Sequence, residues 1–195
     1  MTPEPRIGIM IHWTDPLRGG VACAEGIEDG RQYDTFAGWW RGTQRSDYML
    51  WLLERMGYPD DRKLRLLACR FVRGTRVDDT RTVWDLLTDE RSRSAVEVAE
   101  RYAVGEARKG ELEAAARAAW SAAQAAASSA EWAAARAAAS AAAWPPTSAA
   151  TSAARATAMK SALAQQADII RDMIPVEEIA PLFERYIERL QGGDR

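Results

Sequence analysis

The chain has 195 residues, 47% of them hydrophobic, and its 26 basic and 28 acidic side chains leave a formal net charge of −2 at pH 7. This length and hydrophobic content are typical of one globular domain and exclude a disordered chain. The near-neutral charge gives no general attraction to a polyanion, so we expect no nucleic-acid partner. The two cysteines, Cys23 and Cys69, fit a reducing cytoplasm, and with the single His12 they cannot complete a four-ligand zinc site without carboxylates.

Residues 1–42 are predicted to be a short irregular N-terminal extension, because glycine, proline and aspartate recur throughout them. The apolar run in MTPEPRIGIMIHW is too short for the hydrophobic region of a signal peptide and far too short for a membrane helix. We therefore expect a cytoplasmic protein without a membrane segment. Any strand or extended arm is confined to residues 6–13, and GWWRG is predicted to be a turn.

From Thr43 onward nearly every periodicity is helical, so residues 43–195 are predicted to form an alanine-rich, all-α bundle of about six or seven helices. In TQRSDYMLWLLERMG, Ser46 or Thr43 is placed to cap a buried helix and Gly57 to end it. In the next helix, apolar residues recur at helical spacing and predict one buried stripe: Leu64, Leu67, Ala68, Phe71 and Val72.

Two more helices are expected before the alanine-rich region. Asp79 is placed to cap a short helix in DDTRTVWDLL. Thr88 or Asp89 caps the next, which stops at Gly105. At the other end of the chain, the most regular amphipathic stripe predicts a final helix with one inner face: Ile179, Leu182, Phe183, Tyr186, Ile187 and Leu190.

The segment ELEAAARAAWSAAQAAASSAEWAAARAAASAAAW, residues 111–144, is dominated by alanine and carries a tryptophan at every twelfth position. Its polar residues recur at intervals of four and three, which predicts one long helix with a narrow polar stripe. Because alanine lets neighbouring helices approach closely, we expect this helix to be the packed spine of the domain, with tryptophans filling gaps between helices. Pro145 and Pro146 end it, and another long helix follows up to Pro175.

Few residues carry recognisable chemistry. A thiol nucleophile system of His12, Cys23 and Asp34 is conceivable, but the spacing matches no motif, and cysteine catalysis needs an oriented base. The acidic pairs fall where helix caps and turns favour carboxylates, and Glu97 with Glu100 lacks the Glu-x-x-His motif of di-metal bundles. We therefore predict no enzyme, no cofactor and no metal.

Two further features have alternative interpretations. Basic residues without an acidic one occupy the segment from Arg62 to Arg76; they either grip a phosphate or an acidic partner, or pair with neighbouring helices, and the second interpretation is favoured. Gln166 falls on the apolar side of its helix. A buried amide needs partners, so an interhelical hydrogen bond is favoured over ligand contact.

The segments TQRSDYMLWLLERMG, DRKLRLLACRFVR and ALAQQADIIRDMIP, with alanine-rich helices between them, resemble the immunity protein family of bacterial polymorphic toxin systems, also carried by phages and actinobacteria. The middle of the chain, VWDLLTDERSRSAVEVAERYAVGEARKGELEAAARAA, is similar to alanine-rich helical proteins of planctomycetes. The resemblance covers residues 43–175 and is most specific at Asp47–Leu52. The chain departs from it at Ser46, Tyr48 and Gln166, where the family leads us to expect glycine, tryptophan and cysteine. It implies an all-helical, non-enzymatic protein that binds a toxin, and it supplies no catalytic residue.

The leading hypothesis is an immunity or anti-defence protein that inhibits a toxin or defence effector by stoichiometric occlusion. The alternatives are a structural or scaffold protein of a phage or bacterium, and an enzyme or small-molecule binder with a pocket between helices. The partner is a protein in the leading hypothesis, and the sequence predicts no oligomeric state. Because interface anchors favour tryptophan, tyrosine and arginine among charged neighbours, the predicted contact residues are Arg45, Asp47, Asp61, Arg62, Trp120 and Trp132.

Overall fold

The computed structural model describes residues 12–18, 21–126, 129–143 (side chains from residue 133) and 162–192. Within these ranges the regular elements are helices, which confirms the predicted all-α class. Two short 3-10 helices lie at Asp15–Leu17 and Trp84–Leu86. The α-helices are α1 (Ala24–Arg31), α2 (Phe36–Gly42), α3 (Ser46–Met56), α4 (Asp61–Gly74), α5 (Glu90–Ala103), α6 (Lys109–Ala125), α7 (Ser129–Ala141), α8 (Ala162–Met173) and α9 (Val176–Gly192).

The described part of the N-terminal segment is helical, so the prediction of an irregular extension over residues 1–42 is wrong there. The Sγ of Cys23 and the Oγ1 of Thr35 each accept a first-turn backbone N–H, which caps α1 and α2. GWWRG is part of α2 rather than a turn, and Trp39 and Trp40 are 3% and 0% exposed. These two indoles give the segment enough apolar area to join the main core.

Most of the range in which a strand was expected, residues 6–11, lies outside the described residues. The remaining two residues, His12 and Trp13, are not in a strand. One isolated antiparallel bridge joins Arg76 and Thr82, so the β pairing found among the described residues lies outside the predicted range.

The alanine-rich segment is a hairpin of two helices, and the prediction of one long helix is wrong. Helix α6 ends at Ala125, and Ala126 has extended backbone angles (φ −64°, ψ 134°). Trp120 and Arg136 would be about 24 Å apart along one straight helix, yet the guanidinium carbon lies 5.6 Å from the ring centroid. Ser128 followed by Glu131 fits the capping-box pattern of a new helix start, a signal that the alanine content obscured.

Helix α7 is the real spine of the domain, because it packs against α4, α5 and α6. The residues following its first turn are buried on nearly every side, including Ala134, Ala135, Ala137, Ala138, Ala139, Ser140 and Ala141. Only small side chains allow neighbours to approach from three directions. The predicted close packing therefore holds for α7, whereas α6 exposes one face, and the end expected at Pro145 lies outside the described residues.

The helices before the hairpin agree closely with the predicted pattern. The α4 stripe is fully buried, and Gly57 ends α3 in the left-handed conformation with φ 68°. Asp89 caps α5 as predicted. Two predicted caps are wrong: Arg45 precedes α3 without a side-chain cap, and the expected helix after Asp79 is the short Trp84–Leu86 turn, where the Asp85 carboxylate accepts the Thr82 N–H.

The C-terminal helices pack against the N-terminal elements and the middle of the domain. Helix α9 packs against the first 3-10 helix, α2 and α3, and the rings of Phe183 and Phe36 stack with centroids 4.0 Å apart. Its predicted stripe faces the core, with Ile179, Phe183 and Tyr186 buried. Helix α8 packs between α3 and α4. Gln166 is 0% exposed and its Oε1 accepts the hydroxyl of Ser46 at 2.9 Å, so the predicted interhelical hydrogen bond is confirmed.

Two arginines bind the carboxyl ends of other helices. Arg65 of α4 is 1% exposed, and its Nη1 donates to the carbonyls of Ala141 and Ala143 at 2.9 and 2.8 Å. Arg171 of α8 donates to the carbonyl of Thr43, just after α2, at 2.7 Å. A guanidinium placed there satisfies carbonyls that have no partner within their own helix and meets the negative end of the helix dipole.

The basic segment of α4 is therefore largely structural. Besides Arg65, Arg73 forms two hydrogen bonds with the Glu100 carboxylate at 2.6 and 2.8 Å. Lys63 donates to Glu178 at 2.6 Å. Three of these cations hold neighbouring helices, as the favoured interpretation expects, while Arg62 is exposed.

Candidate functional site

A groove lies between α1 and α3, and we call it the α1–α3 groove. It encloses about 260 Å³. Its floor and walls combine aromatic and aliphatic side chains with a few polar groups at the rim. The lining residues are Trp13, Leu17, Ala22, Cys23, Gly26, Ile27, Trp39, Asp47, Tyr48, Trp51 and Leu52.

Helical spacing explains how α3 supplies one wall. Asp47, Tyr48, Trp51 and Leu52 follow one another at i, i+1, i+4 and i+5, which places them on one face. Leu52 is buried and joins the core, whereas the two aromatic rings are half-buried at the opening. The same helix thus packs the domain and presents aromatic surface outward.

The tryptophans opposite α3 have their N–H groups bound within the protein. The indole N–H of Trp13 donates to the carbonyl of Tyr33 at 2.9 Å, and that of Trp39 donates to Asp29 at 2.6 Å. Asp29 also accepts the hydroxyl of Thr43 at 2.9 Å. These hydrogen bonds hold the two indoles in fixed orientations, so the rings line the groove with their N–H groups already satisfied.

An arginine and a carboxylate stand at the rim of the groove. Arg45 Nε and Nη2 donate to the two carboxylate oxygens of Asp47 at 2.9 and 2.8 Å. The same guanidinium lies 3.9 Å from the centroid of the Tyr48 ring. These hydrogen bonds, which Arg45 donates to Asp47, raise the pKa of Arg45. Burial raises the pKa of Tyr48, so its hydroxyl stays protonated at neutral pH.

The two cysteines lie in opposite environments. Cys23 is exposed at the groove, where its Sγ accepts the N–H of Gly26 at 3.3 Å. Cys69 is buried in α4, and burial raises the pKa of its thiol to about 12, which suits the predicted role of a small apolar residue. The ring nitrogens of His12 lie 2.8 Å from Thr14 Oγ1 and 3.0 Å from the Tyr33 carbonyl, so they contact those atoms rather than Cys23.

The predicted contact residues fall on three separate elements. Arg45 and Asp47 meet at the groove, as just described. Asp61 and Arg62 are exposed in the first turn of α4. Trp120 is 39% exposed on α6, so the prediction that it fills a gap between helices is wrong, and the side chain of Trp132 lies outside the described residues.

Several residues of the groove were not predicted: Trp13, Trp39, Tyr48 and Trp51. A sequence signal for the helix that carries Trp39 was present, because Thr35 is a favourable N-cap residue directly before a short apolar run. Nothing in local periodicity pairs Trp13 with α3, since that contact depends on how α9 and α2 pack beneath it.

The described residues contain no group of three or more histidine, cysteine, aspartate or glutamate side chains able to hold a metal ion. Of Glu97 and Glu100, the second is bound by Arg73. Among the same residues, no helix has the length and apolar character needed to cross a membrane.

No protein-family model matches the chain, and neither does any curated protein or solved structure. The resemblance to the immunity protein family over residues 43–175 therefore remains a prediction.

Proposed function

We propose that this chain is a non-catalytic binding protein, an immunity or anti-defence protein that inhibits a toxin or a defence effector by stoichiometric occlusion. The observation that carries the proposal is the α1–α3 groove, where fixed aromatic faces meet an arginine and a carboxylate at an accessible rim. Well-packed pockets lined by tryptophan, tyrosine and arginine are where protein interfaces concentrate their binding energy.

The scaffold suits this role because it holds the groove rigidly. Helix α3 is fastened to α8 by the Ser46–Gln166 hydrogen bond, and α2 is fastened to α8 by Arg171. A preformed surface loses little conformational entropy when a partner binds. The family resemblance of the segment around Asp47–Leu52 supports the same role, since that segment forms one wall of the groove. We also propose a cytoplasmic location, because the free thiols Cys23 and Cys69 suit a reducing compartment.

The test is co-expression with the toxin or defence gene that neighbours this one, with cell survival scored against the measured ratio of the two proteins. We expect protection to rise with dose and to saturate near equimolar amounts, because occlusion consumes one inhibitor for each effector. Protection at clearly substoichiometric amounts would indicate turnover and contradict the proposal. A catalytically inactive form of the effector, used as bait, should retain the protein in a one-to-one complex.

A second candidate function is supported by the same groove. Its volume of about 260 Å³ is just below the usual range of small-molecule pockets, about 300–1,000 Å³. A small-molecule binder with an interhelical pocket would use the same aromatic walls. Saturable binding of a metabolite by the purified protein, without protection against any neighbouring gene product, would favour this second function.

A further inference from the structure

The α1–α3 groove combines aromatic surface with one negative charge. Of the described residues that line it, Asp47 is the only acidic or basic one, and four of the others are tryptophan or tyrosine. The face of an aromatic ring attracts cations, and the attraction grows as the cation loses water. The lining is therefore complementary to an organic cation whose apolar stem lies along the rings.

The protein itself shows that this surface accepts a guanidinium. Arg45 binds both oxygens of Asp47 and lies over Tyr48, with its guanidinium carbon 3.9 Å from the ring centroid. The Asp47 carboxylate is 41% exposed, and each of its oxygens has a second lone pair. Arg45 is thus an intramolecular ligand of the same site, held at the rim rather than in the groove.

The size of the groove limits what enters. A volume of about 260 Å³ suits one long side chain rather than a peptide segment. An arginine has a planar head that stacks on aromatic rings and binds carboxylates through two parallel hydrogen bonds. A lysine has no such planar head and is more strongly hydrated, so it gains less from the walls.

We propose that the partner inserts an arginine side chain into the α1–α3 groove, where the guanidinium stacks on the aromatic walls and displaces Arg45 from Asp47. This inference rests on the proposed function, since it names the chemistry of the partner's anchor. The incoming guanidinium thus takes the position over Tyr48 and Asp47 that Arg45 occupies in the free protein. The specificity of the surface is then for a basic, not an acidic, patch on the partner.

The experiment compares a charged probe with a neutral one that differs from it in a single group. The charged probe is N-acetyl-arginine amide, and the neutral isostere is N-acetyl-citrulline amide. Binding to the full chain is followed by the NMR signals of the indole N–H groups. We expect the arginine probe to bind about fivefold to tenfold more tightly than the citrulline probe, the size of a partly desolvated cation–π contact with a carboxylate. The signals of Trp13, Trp39 and Trp51 should shift, and that of Trp120 should not.

Three variants locate the site. Asp47→Asn should reduce the affinity for the arginine probe to that for citrulline. Asp172→Asn removes an exposed carboxylate of α8 outside the groove and should leave the affinity for the arginine probe unchanged. Arg45→Met keeps the apolar stem but removes the competing guanidinium, so it should bind the arginine probe several-fold more tightly than the natural protein does, as removal of a tethered competitor predicts.

Equal affinity for the two probes, no binding of either, or an Asp47→Asn variant that binds as the natural protein does would each overturn the inference. An unchanged affinity in Arg45→Met would do so too, because the added cation would then not use the Tyr48–Asp47 position. These outcomes are independent of the survival assay. Protection without arginine binding rejects only the inference, whereas arginine binding without protection rejects only the proposed function.

Discussion

Replacing Arg65 by methionine is expected to lower the free energy of unfolding by about 2–4 kcal/mol. The buried guanidinium donates to the carbonyls of Ala141 and Ala143, and the substitution leaves those acceptors in the protein interior without it. Burial lowers the pKa of Arg65, because a charge is costly in the protein interior. Methionine removes that cost, so the expected loss comes from the two carbonyls that are left without a donor.

The matched control is Arg70→Met, since Arg70 is exposed on the same helix. That change should alter stability by no more than about 0.5 kcal/mol. Urea unfolding of both variants, followed by circular dichroism, measures the difference. Equal stabilities would show that the end of α7 does not depend on Arg65.

Enlarging Ala138 to leucine is expected to lower the free energy of unfolding by about 1–3 kcal/mol, because overpacking forces side chains or helices apart. Ala138 is 0% exposed in α7, which is enclosed by α4, α5 and α6. The control is Ala114→Leu on the exposed face of α6, where the added side chain reaches solvent and stability should change by about 0.5 kcal/mol or less. Thermal unfolding of the two variants tests the claim that α7 is closely packed on three sides. Equal melting temperatures for the two variants would contradict that claim.

These two expectations show what sequence could and could not supply. The period of apolar residues in α4 and α9 predicts their buried faces, because each face follows from local spacing alone. The interhelical hydrogen bond of Gln166 was also predictable, since an amide on the apolar face of a helix needs a partner. Arg65 was not predictable, because its acceptors are carbonyls more than seventy positions along the chain, brought near by the hairpin.

The alanine-rich hairpin was missed because alanine makes helix propensity high on both sides of the break. The break therefore depends on weak capping signals and on the packing of α7 against α4 and α5, which local spacing does not record. The N-terminal helices were missed for a related reason. Both are short, so propensity alone does not stabilise them. Helix α2 gains its stability from the burial of Trp39 and Trp40, and it packs against α9.

The candidate site was predicted only in part. Arg45 and Asp47 were singled out from their position before and within α3, and they do stand at the rim of the groove. The opposite wall comes from α1 and from Trp13, and no local pattern predicts that either lies beside α3. Grooves between helices depend on tertiary packing, so a single sequence indicates which helix faces are apolar but not which of them are left unfilled.

The most direct test of the central claim is to fill the groove without removing any of its side chains. A Cβ atom at Gly26 would lie 3.4 Å from Cys23 Sγ and 3.9 Å from the Tyr48 ring, which are ordinary contact distances. Because Gly26 lines the groove, a leucine there is expected to occupy part of it. A Cβ atom at Gly110 of α6 meets nothing within 4 Å, which makes Gly110→Leu the matched control. Both substitutions replace a helical glycine and should raise helix stability by about 0.5–1 kcal/mol.

The measurement is survival in the co-expression assay at equal amounts of the natural protein, Gly26→Leu and Gly110→Leu, with melting temperatures recorded for all three. The account predicts that Gly26→Leu folds at least as stably as the natural protein but no longer protects, while Gly110→Leu protects fully. Full protection by Gly26→Leu would contradict the claim that this protein acts by binding its partner through the α1–α3 groove.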